Sequence, residues 1–415
     1  MRLSDQLTDN TRAFVLAGGA GRRLSPLTKY RPKPLVPFGG CFRIIDFTLS
    51  NCFNSGLGGA YVLVQHEHES MTTYLRKGWS RLGTSREFAV PSPASIGKRY
   101  AGTADAVIEN LPLVQERGSV FLLVVSADHV YKMDYRNILG FHVASGADVT
   151  IGAIPYRKEL SSKMRVLEVD KDHRVAAFGA ESGSREISSG DKTVLVDMGV
   201  YVFNIDMLVS AVETSRDPLV DIADDLIPHM MRSRKVKAYR HENLFNTHPL
   251  YWRDVGTVDA YYDANMELLA SNSSMDPFDK NWPIRSAFGM RFGSRNILSE
   301  VGGEPGVDSI IPRAAYIEGA SVFRSVLSSS VVLESGADVR HSVLLPGAVI
   351  RRGSAVRNAI IDAHVVIEAG DCIGYNKDRD HARFHVSPRG IVAVSPDHVA
   401  PFFRVDTASK AAVTQ

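Results

Sequence analysis

Leu16-Ala17-Gly18-Gly19-Ala20-Gly21-Arg22-Arg23-Leu24 puts three glycines and two arginines directly after the apolar run Ala13-Phe14-Val15-Leu16. Glycines let backbone amides approach phosphate oxygens closely, and a helix starting after them would favour negative charge. Two familiar phosphate motifs are excluded. A Walker loop needs Gly-Lys-Ser/Thr after four spacer residues, and the dinucleotide fingerprint needs a third glycine where this chain has Leu24. What remains is a loop followed by Arg23 and, ten residues later, Lys33. Charge grows on the leaving oxygens of a triphosphate during nucleotidyl transfer, and arginine as a rigid fork and lysine as a point charge are suited to hold it. The competing reading leaves Arg22 and Arg23 as solvated helix residues. The same chemistry needs a divalent cation, and Mg²⁺ prefers carboxylate oxygens plus retained waters. Asp128 follows an apolar run, where a carboxylate has no packing reason to be, and Asp254 lies in Tyr251-Trp252-Arg253-Asp254. A helix N-cap is the alternative for Asp128, and an ion pair with Arg253 or another cation is the alternative for Asp254.

Residues 13–16, 60–65 and 120–125 read as short buried strands, the latter two each preceded by a stretch able to form a helix. That alternation predicts an α/β fold, a doubly wound and mostly parallel sheet covered on both faces. Ligands in such sheets bind beyond the carboxyl ends of the strands, which marks residues 18–23, Gln65 and residues 126–128. The pattern dissolves over residues 271–312 into a linker. Beyond it Val331, Ala337, Val343, Val349, Ala355, Ile361, Ile367 and Ile373 recur every six residues. A six-residue repeat predicts a parallel β-helix in which each short face contributes one inward aliphatic residue. The expected organisation is therefore a catalytic domain over 1–270, a linker over 271–312, and a β-helix over 313–400 with a tail to 415.

The bulk numbers bound the partners. At 415 residues two domains are expected. With 48 basic and 46 acidic side chains the net charge of +2 gives no general attraction to nucleic acid, so an anionic substrate needs a local cluster of cations. The three cysteines, Cys41, Cys52 and Cys372, lack metal-ligand spacing and read as reduced thiols. No apolar run approaches the roughly eighteen residues of a membrane span, so a cytoplasmic protein without membrane contact is expected.

The residues from Gly18 to Thr28 and Lys33-Pro34 resemble the signature of sugar-1-phosphate nucleotidyltransferases. Phe38-Gly39-Gly40-Cys41-Phe42-Arg43-Ile44-Ile45-Asp46-Phe47, Gly102-Thr103-Ala104-Asp105, Asp128-His129-Val130-Tyr131-Lys132-Met133-Asp134-Tyr135, Tyr251-Trp252-Arg253-Asp254-Val255-Gly256-Thr257 and Asn281-Trp282-Pro283-Ile284 resemble one branch, the ADP-glucose pyrophosphorylases. The matches run in order over nearly the whole chain. The resemblance implies a left-handed β-helix and the transfer of AMP from ATP to glucose 1-phosphate, with Arg23, Lys33 and Asp128 catalytic. It implies Mg²⁺ on Asp128 and Asp254, and a nucleotide held by Leu16, Gly18, Gly19, Gly21, Gln65, Gly102 and Thr103. Tyr100 matches a residue on the sugar side. A homotetramer is implied, with a hetero-oligomer containing a paralogue as the alternative.

The sugar-phosphate segments depart from the family pattern. Phe178-Gly179-Ala180-Glu181-Ser182 stands where the family has Phe-x-Glu-Lys-Pro, so its lysine becomes Glu181. Met164-Arg165-Val166 replaces Phe-Gly-Val, Asp197-Met198-Gly199 replaces Ser-Met-Gly, and Ile222-Ala223-Asp224 replaces Phe-Gly-Lys. A carboxylate in place of a cation beside a phosphate turns attraction into repulsion. A hairpin turning near residues 170–173 would bring Arg165 beside Phe178, either to supply the missing charge or to pair with Glu181. Arg165, Glu181 and Asp197 are thus the expected sugar-phosphate contacts. Two further readings stay open: another sugar 1-phosphate or nucleotide, or a catalytically weak regulatory subunit.

Overall fold

The computed structural model describes residues 3–19, 21–65, 67–79, 87–89, 99–162, 164–179, 193–241, 250–270, 274–286 and 309–398. The catalytic half is built on β1 (Thr11–Leu16), β2 (Gly59–Leu63), β3 (Glu87–Ala89), β4 (Phe121–Ser126), β5 (His129–Tyr131), β6 (Val149–Arg157), β7 (Val166–Val169), β8 (Val175–Gly179), β9 (Thr193–Asn204), β10 (Val236–Arg240) and β11 (Trp252–Asp254). The main sheet runs β3-β2-β1-β4-β9-β7-β8, with β6 beside β9 and β10 beside β6. From β3 to β4 it is parallel, and the long β9 then enters antiparallel to β4. Strand alternation sorts the core. Ala13, Val15, Leu123 and Val125 are buried toward one face, and Phe14, Leu122 and Val124 toward the other. Each such valine or leucine contributes about 1.5–3 kcal/mol of transfer free energy.

Helix α1 (Ile44–Asn54) begins where the Asp46 carboxylate accepts the Arg43 N–H at 2.8 Å. The same buried carboxylate accepts from the Tyr74 hydroxyl at 2.6 Å and Trp79 Nε1 at 3.1 Å, fixing the helix on the β1–β4 face. Part of the expected linker is docked here. Trp282 Nε1 donates to Asn51 Oδ1 at 2.9 Å, and the Arg285 N–H donates to Ser50 Oγ at 2.8 Å.

The C-terminal half is a parallel β-helix whose coils stack in ladders. Val349 pairs with Val332 and with Val366, seventeen residues before and after it. A coil of seventeen is one residue short of three six-residue faces, so the strict six-residue series slides out of phase and back. Val331, Ala337, Ile361, Ile367 and Ile373 face the interior. Val343 is buried against the catalytic half, and Val349 and Ala355 are half-exposed while Ile350 and Val356 fill the core. The coils begin by Ile310, which bridges to Val326.

The two halves share a core of Phe38, Phe42 and Tyr261 with Ile310, Val326, Val343 and Ile360. Arg31 pairs with the buried Asp362 at 2.7 Å across this boundary.

Candidate active site

Strands β1, β2 and β4 end together. The Ala17 N–H donates to Leu63 O at 2.9 Å and the Ala127 N–H to Leu16 O at 3.0 Å, which lines the three carboxyl ends along one edge. The glycine loop leaves this edge. Gly21 has φ +60°, and a Cβ there would stand 2.9 Å from Lys33 Cβ, so only glycine lets the loop close over Lys33. The expected helix after the loop is only a three-residue turn, Arg22–Leu24. A helix dipole therefore adds little here, and anion binding falls to loop amides and cations.

Lys33 is 5% exposed, at the head of a short turn. Its ammonium lies 2.8 Å from Asp128 Oδ2 and 3.0 Å from Asp254 Oδ1. Arg23, largely exposed, reaches Asp254 Oδ2 at 3.7 Å. Burial alone would raise the Asp128 carboxyl, but Lys33 and then His129 pull it down to about 2. Burial would likewise lower Lys33, yet the two aspartates hold it above the usual lysine value. Asp128 caps no helix, since strand β5 follows it, and Arg253 pairs with Glu267 at 2.7 Å, so the cations paired with Asp254 are Lys33 and Arg23. Asp254 stands on β11, which pairs antiparallel with β5 and sets Asp254 opposite His129.

The donor set fits a hard divalent cation. Ligand atoms of Asp128, His129 and Asp254 all lie within 4.8 Å of one another. Each carboxylate offers about four lone-pair positions, so one ammonium does not exhaust the pair.

Two cavities meet at this cluster. The larger, about 550 Å³, is lined by Leu16, Gly18, Gly19, Gly21, Arg22, Arg23, Lys33, Gln65, Tyr100, Gly102, Thr103 and Asp128. Gln65 donates to Tyr100 O at 3.0 Å, and its amide oxygen accepts no hydrogen bond among the described residues. Tyr100, expected on the sugar side, lines this larger cavity because that bond holds it beside Gln65. Thr103 lines the wall, but its hydroxyl is engaged, donating to Asp221 Oδ2 and accepting the Ile222 N–H, each at 2.9 Å. The smaller cavity, about 260 Å³, shares Leu16, Thr103 and Ser126 with the first and adds Arg165, Asp197, Asp221 and Asp254.

The expected hairpin forms. Strands β7 and β8 pair antiparallel with Val166 opposite Gly179, which puts Arg165 at its open end. Arg165 donates to both oxygens of Asp224, at 2.7 and 3.0 Å, and lies 3.8 Å from Asp221. Asp197 sits at a bulge where the register of β9 against β6 breaks. It accepts the Gly199 N–H at 2.9 Å and the Tyr201 hydroxyl at 2.6 Å. Burial raises its carboxyl, against the hydrogen bond from Tyr201. Ala180 and Glu181 lie outside the described residues, so the Arg165–Glu181 pairing is not among the contacts seen. His129, Asp221 and Gly256 also line these cavities, and no local pattern in the sequence marks them. A Cβ on Gly256 would lie 2.9 Å from Asp254 Oδ1 and 3.1 Å from Arg23 Nη2.

A glycine loop, two cations and two facing carboxylates at the carboxyl edge of a parallel sheet define a nucleotidyltransferase. Residues 12–271 match the nucleotidyl transferase family, and residues 299–394 match the GlmU-like C-terminal hexapeptide family, whose coils form a left-handed β-helix. The chain is 40% identical to glucose-1-phosphate adenylyltransferase 2 of Alkalilimnicola ehrlichii, over 95% of this chain and 96% of that one. It is 38% identical to the glucose-1-phosphate adenylyltransferase of Methylococcus capsulatus (95% and 96%) and 37% identical to that of Nitrosococcus oceani (97% and 98%). The chain belongs to the glucose-1-phosphate adenylyltransferase family.

Proposed function

We propose that the protein transfers AMP from ATP to α-D-glucose 1-phosphate, releasing pyrophosphate and forming ADP-glucose for α-glucan synthesis. The observation that carries this reading is the single Lys33 ammonium shared by Asp128 and Asp254 beneath the glycine loop. A phosphate oxygen of the sugar phosphate attacks the α-phosphorus, the bond to the β-phosphate oxygen breaks, and pyrophosphate leaves. No protein nucleophile is required, so catalysis is positioning plus electrostatics. The loop amides and Arg23 grip the phosphates, and Lys33 meets the charge that develops on the leaving group. Asp128 and Asp254 would hold the divalent cation, with Mg²⁺ as the resident ion. When bound, that ion neutralises phosphate charge. Gln65 and the turn at Gly102-Thr103 orient the base, Leu16 packs under the nucleoside, and Tyr100 closes the wall behind Gln65.

The smaller cavity is the proposed sugar side. Its cation is Arg165, and Asp197 accepts hydrogen bonds from sugar hydroxyls. Asp224 and Asp221 already hold the Arg165 guanidinium, so a phosphate must compete for it. That competition applies to any sugar 1-phosphate, so the second reading, a different sugar 1-phosphate accepted at the same place, rests on the altered residues Arg165 and Asp197 that line the smaller cavity. A pyrophosphate-release assay over several nucleotide and sugar-phosphate pairs tests both, with ATP and glucose 1-phosphate expected to be the best pair. A cytoplasmic homotetramer completes the reading and rests on the family resemblance.

A further inference from the structure

We propose that His129 is a third ligand of the divalent cation, so that the centre is a mixed nitrogen–oxygen site and not a pair of carboxylates alone. The proposal rests on reading Asp128 and Asp254 as the metal pair. Three observations carry it.

The first is the tautomer. His129 Nδ1 lies 3.1 Å from the carbonyl oxygen of Met198. A carbonyl only accepts, so Nδ1 donates to it, and the lone pair of a neutral ring then lies on Nε2. A backbone carbonyl behind one ring nitrogen is the usual partner that orients a metal-binding imidazole. It is available here because the bulge in β9 falls at Met198.

The second is where that lone pair points. His129 Nε2 stands 3.6 Å from Asp128 Oδ1, beyond hydrogen-bond length. That separation lets one cation reach the ring nitrogen and the carboxylate oxygen together. Asp254 completes the group, with one ligand atom of each residue within 4.8 Å of the others.

The third is rigidity. The ring is 14% exposed and packs edge-on against Trp252, centroids 4.8 Å apart. Trp252 belongs to the strand that carries Asp254, so one packing contact fixes the spacing of two ligands. An imidazole nitrogen improves the site for Mn²⁺ and further for Co²⁺, relative to Mg²⁺.

The competing role for His129 is a doubly protonated ring paired with Asp128, which would orient that carboxylate without touching the metal. Pulsed electron paramagnetic resonance on the full chain with Mn²⁺ and a non-hydrolysable ATP analogue separates the two. A directly coordinated ¹⁴N signal is expected, changing to a ¹⁵N signal when the protein is grown with ¹⁵N-histidine. That labelling excludes adenine nitrogen and needs no variant. In His129→Gln the nitrogen signal should vanish and Mn²⁺ affinity fall by about tenfold or more. Bound Mn²⁺ without histidine nitrogen coupling overturns the third ligand and leaves the aspartate pair standing. Failure of the wild-type protein to bind Mn²⁺ at all overturns both.

Discussion

Asp128 and Asp254 accept hydrogen bonds from one ammonium, that of Lys33, at 2.8 and 3.0 Å. The two carboxylates lie far apart in the chain and arrive by different routes. Asp128 follows the end of β4, and Asp254 is brought in by the pairing of β11 with β5. Their meeting point is the mouth of the glycine loop, which is what phosphoryl chemistry needs.

Removing either carboxylate should cost activity more than stability. Asp128→Asn and Asp254→Asn should each lower kcat/KM by about 100-fold or more, the scale of losing a group that meets transition-state charge. Initial-rate kinetics beside a thermal melt check this. A melt that falls as steeply as the rate would make the pair structural.

The charge cluster also predicts a pH dependence. The Asp128 carboxyl lies at about 2 in the folded protein, below its ordinary value of about 3.9, so its contribution to stability is full above the ordinary value and lost as pH falls through about 2. Lys33 is shifted upward, so its contribution is full below the ordinary lysine value and lost only at higher, alkaline pH. Wild type should therefore exceed Asp128→Asn in stability by a constant margin across neutral pH, and the margin should shrink below about pH 4. Urea titrations at pH 3, 5 and 7 measure it.

Arg165 and Asp224 should act in opposite directions on one substrate. Arg165→Ala should raise the half-saturating glucose 1-phosphate concentration by about tenfold, since a charged hydrogen bond contributes about 1.5–3 kcal/mol. Asp224→Ala leaves, among the described residues, only the longer contact to Asp221 on the guanidinium and should lower that concentration. The ATP dependence should move little in either variant. Both side chains are partly or largely exposed, so neither change should cost more than about 1 kcal/mol of stability.

Gly256→Ala places a methyl against Asp254 and Arg23. Those side chains can shift by a few tenths of an ångström, so the fold should survive. Misplacement of the carboxylate should lower kcat by about tenfold or more, given the sensitivity of such sites to 1 Å errors. A melting curve matched to the rate measurement separates the two effects.

Across the domain boundary, Arg31→Ala would leave Asp362 buried without its cation. Breaking a buried pair from one side costs about 3–5 kcal/mol. Arg31→Met with Asp362→Leu should recover most of that loss. Denaturant unfolding of the single and double variants checks the sign.

The parts legible in the sequence were those fixed by local rules. Gly21, Gln65 and Asp128 sit at or just past strand ends in a doubly wound sheet, where position alone marks a ligand site. His129 lies inside the Asp128–Tyr135 motif, but its contact with Met198 depends on a bulge between Asp197 and Tyr201, far along the chain. Asp221 was hidden for the same reason: its partner Thr103 comes from another helix. The six-residue repeat announced the β-helix, but coils of seventeen residues turn Val343 into the core shared with the other half and leave Val349 and Ala355 half-exposed. Composition carries no record of such a one-residue slip. Hairpin spacing puts Arg165 at the open end of β7 and β8, while its engagement with Asp224 depends on a segment far along the chain.

The most direct test is pyrophosphate release by the purified full chain with ATP, glucose 1-phosphate and a divalent cation. Stoichiometric ADP-glucose and pyrophosphate are expected, abolished by a chelator and reduced at least about 100-fold in Asp128→Asn and Asp254→Asn. Turnover that persists undiminished in both variants would contradict the proposed function, as would a folded, ATP-binding protein that releases no pyrophosphate with any sugar 1-phosphate.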